Sequence, residues 1–158
     1  MVAGKRALLD YRRRYENIKK ISGLLSTPQT DVATTLENYI ADSDQIRASL
    51  KAARLRIAEL EAARIEPTEG NAIFLLPDFS IPELIAFSNI ANKKVSGITV
   101  ALCGGDQDYK YVISSESTDL RAKSKEINSD LNGRGGGRPE MIQGSFATTL
   151  EDIKAYFK

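Results

Sequence analysis

Gly133-Arg134-Gly135-Gly136-Gly137-Arg138-Pro139-Glu140-Met141-Ile142-Gln143-Gly144 holds four of the chain's eleven glycines within its first five residues. Two arginines and a proline stand among them. No regular helix or strand favours that composition, so the sequence predicts a loop. Glycine serves where a backbone takes φ > 0 or where another molecule comes close. Successive peptide N–H groups in such a loop can converge on an anion. Arg134 and Arg138 add guanidinium forks that match phosphate geometry, and Pro139 fixes the chain as it leaves. One reading is a phosphate or nucleic-acid backbone site. The other is a flexible surface loop, and composition leaves both open. No Gly-Lys-Ser/Thr follows, as a Walker loop requires, and a helix precedes where a dinucleotide fingerprint needs a strand.

On its C-terminal side, Ile142 to Phe146 reads as a short strand, and Thr148 or Thr149 caps a last helix through Phe157. On its N-terminal side, Asp119 caps a helix from Leu120 to Leu131 that carries Arg121, Lys123 and Lys125. Ile98-Thr99-Val100-Ala101-Leu102-Cys103 is a buried strand, Gly104 to Asp108 a hairpin loop, and Tyr109 to Ser114 the returning strand. Further back, Ser80 caps a helix with Leu84, Phe87, Ser88 and Ala91 on one face. Ala72 to Leu76 precedes it as an apolar strand. If the first two strands are parallel, their crossover is right-handed, while the hairpin makes the sheet mixed, with three to four strands.

The first part of the chain is helical. Leu8, Tyr11, Tyr15, Ile18, Ser22 and Leu25 form one stripe, with Arg12, Arg13, Arg14, Lys19 and Lys20 off it. That basic face is either solvated or tracks RNA phosphates. After Ser26 to Asp31 a second helix runs to about Arg64. Its seam is Leu36, Tyr39, Ser43, Ile46, Leu50, Ala53, Ile57, Leu60 and Arg64, a coiled-coil heptad pattern, on a helix about 50 Å long at 1.5 Å per residue. The two helices are expected to pair as an antiparallel hairpin that covers roughly half the seam. The rest, around Ile46, Leu50, Ile57 and Leu60, needs the globular part or another copy. Pro67 stops the helix. The expected organisation is a helical extension over 1–66 and a globular domain over 71–158, α+β or α/β in class.

The net charge of +1 is uneven: +5 over residues 1–26 and −2 in each of 27–66 and 67–158. Any contact with a polyanion is therefore local. Histidine is absent, which removes the commonest general base and zinc ligand. With one cysteine, read as a buried small hydrophobe, neither a metal site nor a cofactor is expected in this chain. Asp106/Asp108 and Glu151/Asp152 read as turn and capping residues. No apolar run approaches the roughly 18 residues that span a membrane, and the start has no apolar signal core, so a cytoplasmic location is expected.

Gly135-Gly136-Gly137-Arg138-Pro139-Glu140-Met141, followed by Gln143-Gly144, resembles the signature of the DHH-associated domain. That domain ends alanyl-tRNA synthetases and the long stand-alone alanyl-tRNA editing proteins. The related phosphoesterases carry histidine where this chain has Arg138. Gly4 to Leu8 with Asp10-Tyr11-Arg12 resembles the junction after the editing domain, and Cys103-Gly104-Gly105 with Tyr109 to Val112 looks like the editing-protein version. The resemblance implies a non-catalytic module that binds tRNA(Ala) and forms a homodimer. It would position the tRNA for deacylation by an upstream zinc editing domain, whose ligands would precede residue 1. Arg134, Gly135, Gly136, Gly137, Arg138 and Gln143, with Arg12, Arg13 and Lys19, would meet RNA. Ile46, Leu50, Ile57 and Leu60 would form the dimer. The alternative is the substrate-binding lobe of a DHH-type phosphoesterase. Tyr109 or Tyr111 would stack on a base or, more in keeping with a strand, fill the sheet's core.

Overall fold

The computed structural model describes residues 2–158. In order, the elements are α1 (Val2–Leu25), α2 (Val32–Ala63), β1 (Ala72–Leu75), α3 (Ile81–Ala91), β2 (Thr99–Gly105), β3 (Asp108–Ser114), α4 (Leu120–Asp130), β4 (Gly133–Arg138), β5 (Met141–Phe146) and α5 (Leu150–Tyr156). The chain is α+β. It groups into two compact units, Met1–Lys51 and Ala52–Lys158, whose boundary falls inside α2.

In the first unit, α1 ends where Ser26 takes a positive φ of 50°. Ser22 Oγ donates to the Thr27 carbonyl at 2.5 Å, and the hydroxyls of Thr27 and Thr35 lie 3.1 Å apart. The apolar stripes stay largely open. Tyr11, Tyr39 and Ile46 are each about two-thirds exposed, and Leu50 is little less so. The cover that α1 was expected to give the α2 seam is thus thin.

The second unit is built on one mixed sheet of order β1-β2-β3-β5-β4. β1 is parallel to β2, and every other pair is antiparallel. The fifth strand corrects the expected count of three to four, because the glycine-rich stretch is β4 and not a loop. Its glycines alternate. A Cβ on Gly133 would meet the Phe146 ring and Asn128. One on Gly135 would meet the Gln143 carbonyl and the Tyr111 hydroxyl, and one on Gly137 the Met141 carbonyl. None of the four has a positive φ; among the glycines that conformation belongs to Gly70 and Gly104. Glycine here lets β4 lie close against β5, and that tertiary contact overrides its poor strand propensity.

Each sheet face carries its own core. Val100, Leu102, Tyr111, Ile113, Ile142 and Phe146 point to the side of α4 and α5, where they meet Leu120, Ile127 and Ile153. Tyr111 and Phe146 stack with ring centroids 4.1 Å apart. Ala101, Cys103 and Val112 point to the other side, toward Leu84, Phe87 and Ala91 of α3 and Ala58 and Ala62 of α2. The end of α2 thus docks through a stripe of small residues, while Ile57 and Leu60 remain about half exposed. Burial pushes the Cys103 thiol above its ordinary pKa. Arg54 locks α2 onto α3: its Nε donates to Glu83 Oε1 at 2.6 Å, and its Nη2 donates to Glu83 Oε2 at 3.1 Å and to the Asp78 carbonyl. Glu83 Oε2 also accepts from the Ser80 amide at 2.7 Å, which caps α3.

The caps follow the sequence. Asp119 accepts from the Ala122 amide, and Thr149 from that of Asp152. The β2–β3 turn is shorter than expected, Asp106 and Gln107 alone, with Gln107 at φ 69°. Asp106 accepts from the Tyr109 hydroxyl and the Leu150 amide, which makes it a turn residue.

Candidate nucleic-acid interface

Strand alternation decides which residues of the glycine-arginine stretch act together. The register places Arg134 opposite Ser145 and Ser145 opposite Lys110; Gly136 opposite Gln143 and Gln143 opposite Val112; Arg138 opposite Met141 and Met141 opposite Ser114. These three cross-strand rows share the α3 side of the sheet. Arg134, Arg138, Gln143 and Lys110 are all exposed there. Gly135 and Gly137 point to the opposite side. There Asn128 Nδ2 donates to the Gly135 carbonyl at 3.3 Å, and Asn128 Oδ1 accepts from the Tyr111 hydroxyl at 2.9 Å.

The expected concave nest of amides is therefore absent, since β4 is extended and laddered to β5. What remains of the anion site is a flat patch with two guanidiniums and an ammonium. Pro139 and Glu140 form the two-residue turn between β4 and β5, with proline suited to the first turn position. The Leu120 amide donates to the Pro139 carbonyl at 2.9 Å and the Ser115 amide to the Glu140 carbonyl at 3.1 Å. These bonds fix the turn, and with it the strand end that carries Arg138.

Beside Arg138 a groove of about 710 Å³ opens between β4, β5 and the second half of α3. Ile85 and Met141 give it apolar wall, and Glu116, Arg138 and Glu140 stand around it. Ser88 and Ser114 also line it, 0% and 1% exposed, and neither hydroxyl has a hydrogen-bond partner among the described residues. Asn92 Oδ1 is likewise unpaired. At Gly136 an added Cβ would find no atom within 4 Å.

The structure thus brings Arg134, Gly136, Arg138 and Gln143 together and separates Gly135 and Gly137 from them. Arg12, Arg13 and Lys19 are exposed on α1, in the first unit. Tyr109 and Tyr111 are buried, 3% and 0% exposed, so neither offers a ring to a base. Burial raises the pKa of the Tyr111 hydroxyl; the bond to Asp106 is the main cause of the rise at Tyr109. Sequence reading missed Lys110, although its place between two core tyrosines marks it as facing the other side. Among the described residues no group of three or more metal-ligating side chains stands together, and no helix is long and apolar enough to cross a membrane.

No family model matches the chain. The chain is 22% identical over 168 residues to the alanine–tRNA ligase of Lactococcus lactis subsp. lactis, covering 98% of this chain and 19% of that one. Over 150 residues it is 29% identical to the alanine–tRNA ligase of Acholeplasma laidlawii, covering 90% of this chain and 17% of that one. The chain resembles one part of the alanine–tRNA ligases. It spans about a fifth of the length of these relatives. Among solved structures, the C-Ala domain from Aquifex aeolicus alanyl-tRNA synthetase aligns with a TM-score of 0.44 at 16% identity, over 56% of this chain and 86% of that one.

Proposed function

We propose that this chain is a non-catalytic tRNA-binding module of the alanyl-tRNA system. The observation that carries the reading is the open basic patch of Lys110, Arg134 and Arg138 on one face of the β3–β5–β4 edge of the sheet. Phosphate contacts supply affinity and position without any active-site chemistry. The similarity to alanine–tRNA ligases over nearly the whole chain supports tRNA as the polyanion. In the longer parent, the module would present tRNA(Ala) to a zinc-bearing editing domain that hydrolyses wrongly attached amino acid. Arg12, Arg13 and Lys19 would add phosphate contacts. The open seam of Ile46, Leu50, Ile57 and Leu60 would pair with a second copy, since its spacing by 3 and 4 suits a helix of the same pattern.

The test is filter binding of the full chain to tRNA(Ala), another tRNA and a short single strand at several salt concentrations. Lys110→Ala with Arg134→Ala and Arg138→Ala should weaken tRNA binding. It should also flatten the slope of log affinity against log salt by roughly 0.7–0.9 for each phosphate that is no longer neutralised. A folded triple variant with wild-type affinity and slope would overturn the interface. The chain by itself should not deacylate mischarged tRNA(Ala), and a metal-dependent rate that rises with purity would contradict the non-catalytic reading.

A further inference from the structure

β1 stands at the edge of the sheet opposite β4. The amides of Ala72 and Leu76 donate to the carbonyls of Ile98 and Leu102. The parallel ladder therefore turns the amides and carbonyls of Ile73 and Leu75 away from β2, and among the described residues they have no hydrogen-bond partner. No residue of β1 is buried, and Leu75 is 41% exposed. Edge strands are normally guarded by charge, proline or a bulge. Ala72-Ile73-Phe74-Leu75 has none of these.

Beside this edge a groove of about 400 Å³ lies between the start of β1 and the end of α5. Ile73 and Phe157 give it apolar wall. The exposed ammoniums of Lys154 and Lys158 stand over it, against the one carboxylate side chain of Glu69. Asn71 ties the walls together: its Nδ2 donates to the Phe157 carbonyl at 3.0 Å, and its Oδ1 accepts from the Ile98 amide at 2.8 Å.

We infer that β1 accepts an extended acidic peptide segment of a partner protein as a further strand. In strand addition, main-chain bonds give affinity and pockets for alternate side chains give specificity. The segment runs antiparallel to β1. Its residues opposite Leu75 and Ile73 are apolar and exchange backbone hydrogen bonds with them. The residue opposite Asn71 faces the same side; it is an aspartate or glutamate that meets Lys154 and Lys158. The lysines decide against a second copy as the occupant. With Ile73 paired to Leu75 of another copy, Pro77 would stand opposite Asn71 and offer neither an amide nor a charge. The peptide also leaves Arg134 and Arg138 free, since they lie on the other edge.

The experiment is fluorescence anisotropy of the full chain with a labelled Val-Thr-Val-Thr-Asp-Glu peptide, blocked at both ends. It should bind saturably, and about tenfold more tightly than the same peptide ending in Lys-Lys. N-methylation of both valines, whose amides face β1, should weaken binding about tenfold, whereas N-methylation of both threonines, whose amides point away, should change it little. Lys154→Glu with Lys158→Glu should reverse the preference between the acidic and basic peptides, with circular dichroism and the thermal midpoint in place. Should that variant misfold, the methylated peptides decide with the wild-type chain. Absence of saturable binding, equal loss from either methylation, or an unchanged preference in the folded variant overturns the inference. A wild-type dimer that Leu75→Lys makes monomeric gives the edge to a second copy and overturns it. Loss of tRNA affinity in the lysine variant, with no peptide bound by wild type, gives the lysines to RNA and overturns it as well.

Discussion

At Gly135 an added methyl group would collide with the Gln143 carbonyl and the Tyr111 hydroxyl, whereas at Gly136 it would meet nothing. Neighbouring glycines in one strand therefore have different reasons to be glycine. Gly135→Ala should cost about 1–3 kcal/mol, as overpacking does in a close-packed interior. Gly136→Ala should leave stability within about 0.5 kcal/mol, as surface changes usually do. Urea midpoints of the two variants check this, and equal losses would place Gly136 in the packing rather than over the groove. Arg134 and Arg138 are legible as a pair from their place in the glycine-rich stretch, but that both stand on one side of a strand comes from the β4–β5 register, which the loop reading did not hold. Lys110 is not legible, because which β3 residues stand beside Arg134 depends on the β3–β5–β4 register. Ser88 is legible as part of a buried stripe, yet nothing in the sequence says that Ser114 comes to lie along the same groove.

Among the elements, helix ends and the β2–β3 hairpin are legible, since prolines, capping residues and period-2 apolar runs act locally. β4 is not, because its strand state comes from close approach to β5 and α4 and opposes glycine's intrinsic preference. The α2–α3 clasp is equally hidden, since Arg54 and Glu83 meet only in the fold. The hydrogen bond from Arg54 is the main cause that holds the Glu83 carboxylate below its ordinary pKa of 4.5. A depressed carboxylate stabilises the fold above its unfolded pKa, and that stabilisation is lost as pH falls through the folded value. The clasp is therefore fully present above about pH 4.5 and fades in more acidic solution. Glu83 is 8% exposed but Arg54 is 44% exposed. Solvent around the Arg54 end screens the pair and weakens its contribution. Glu83→Gln should lower stability at pH 7 and lower it less at pH 3. Urea melts at both values measure it, and a difference that grows in acid would refute the assignment.

For the whole molecule, the open apolar stripes of α1 and α2 are the largest departure from a self-contained fold. Leu8, Tyr15, Leu36, Leu50 and Ile57 all stay between about 40% and 60% exposed. Charged residues in place of Leu50 and Ile57 should halve the mass seen by light scattering if that seam joins two copies. An unchanged mass in wild type and variant removes it as the interface. The sheet itself has uneven cohesion from one edge to the other. β4 is an outermost strand, with four glycines in its six residues. Each forfeits about 0.5–1 kcal/mol more backbone entropy on ordering than alanine would, so about 2–4 kcal/mol works against this one strand. Its amide protons should exchange with solvent sooner than those of central β3, through peeling that leaves the other strands paired. A tRNA lying across Arg134 and Arg138 would slow that exchange without touching β2. The strand that meets the RNA would then also be the one whose fraying sets how long the complex lasts.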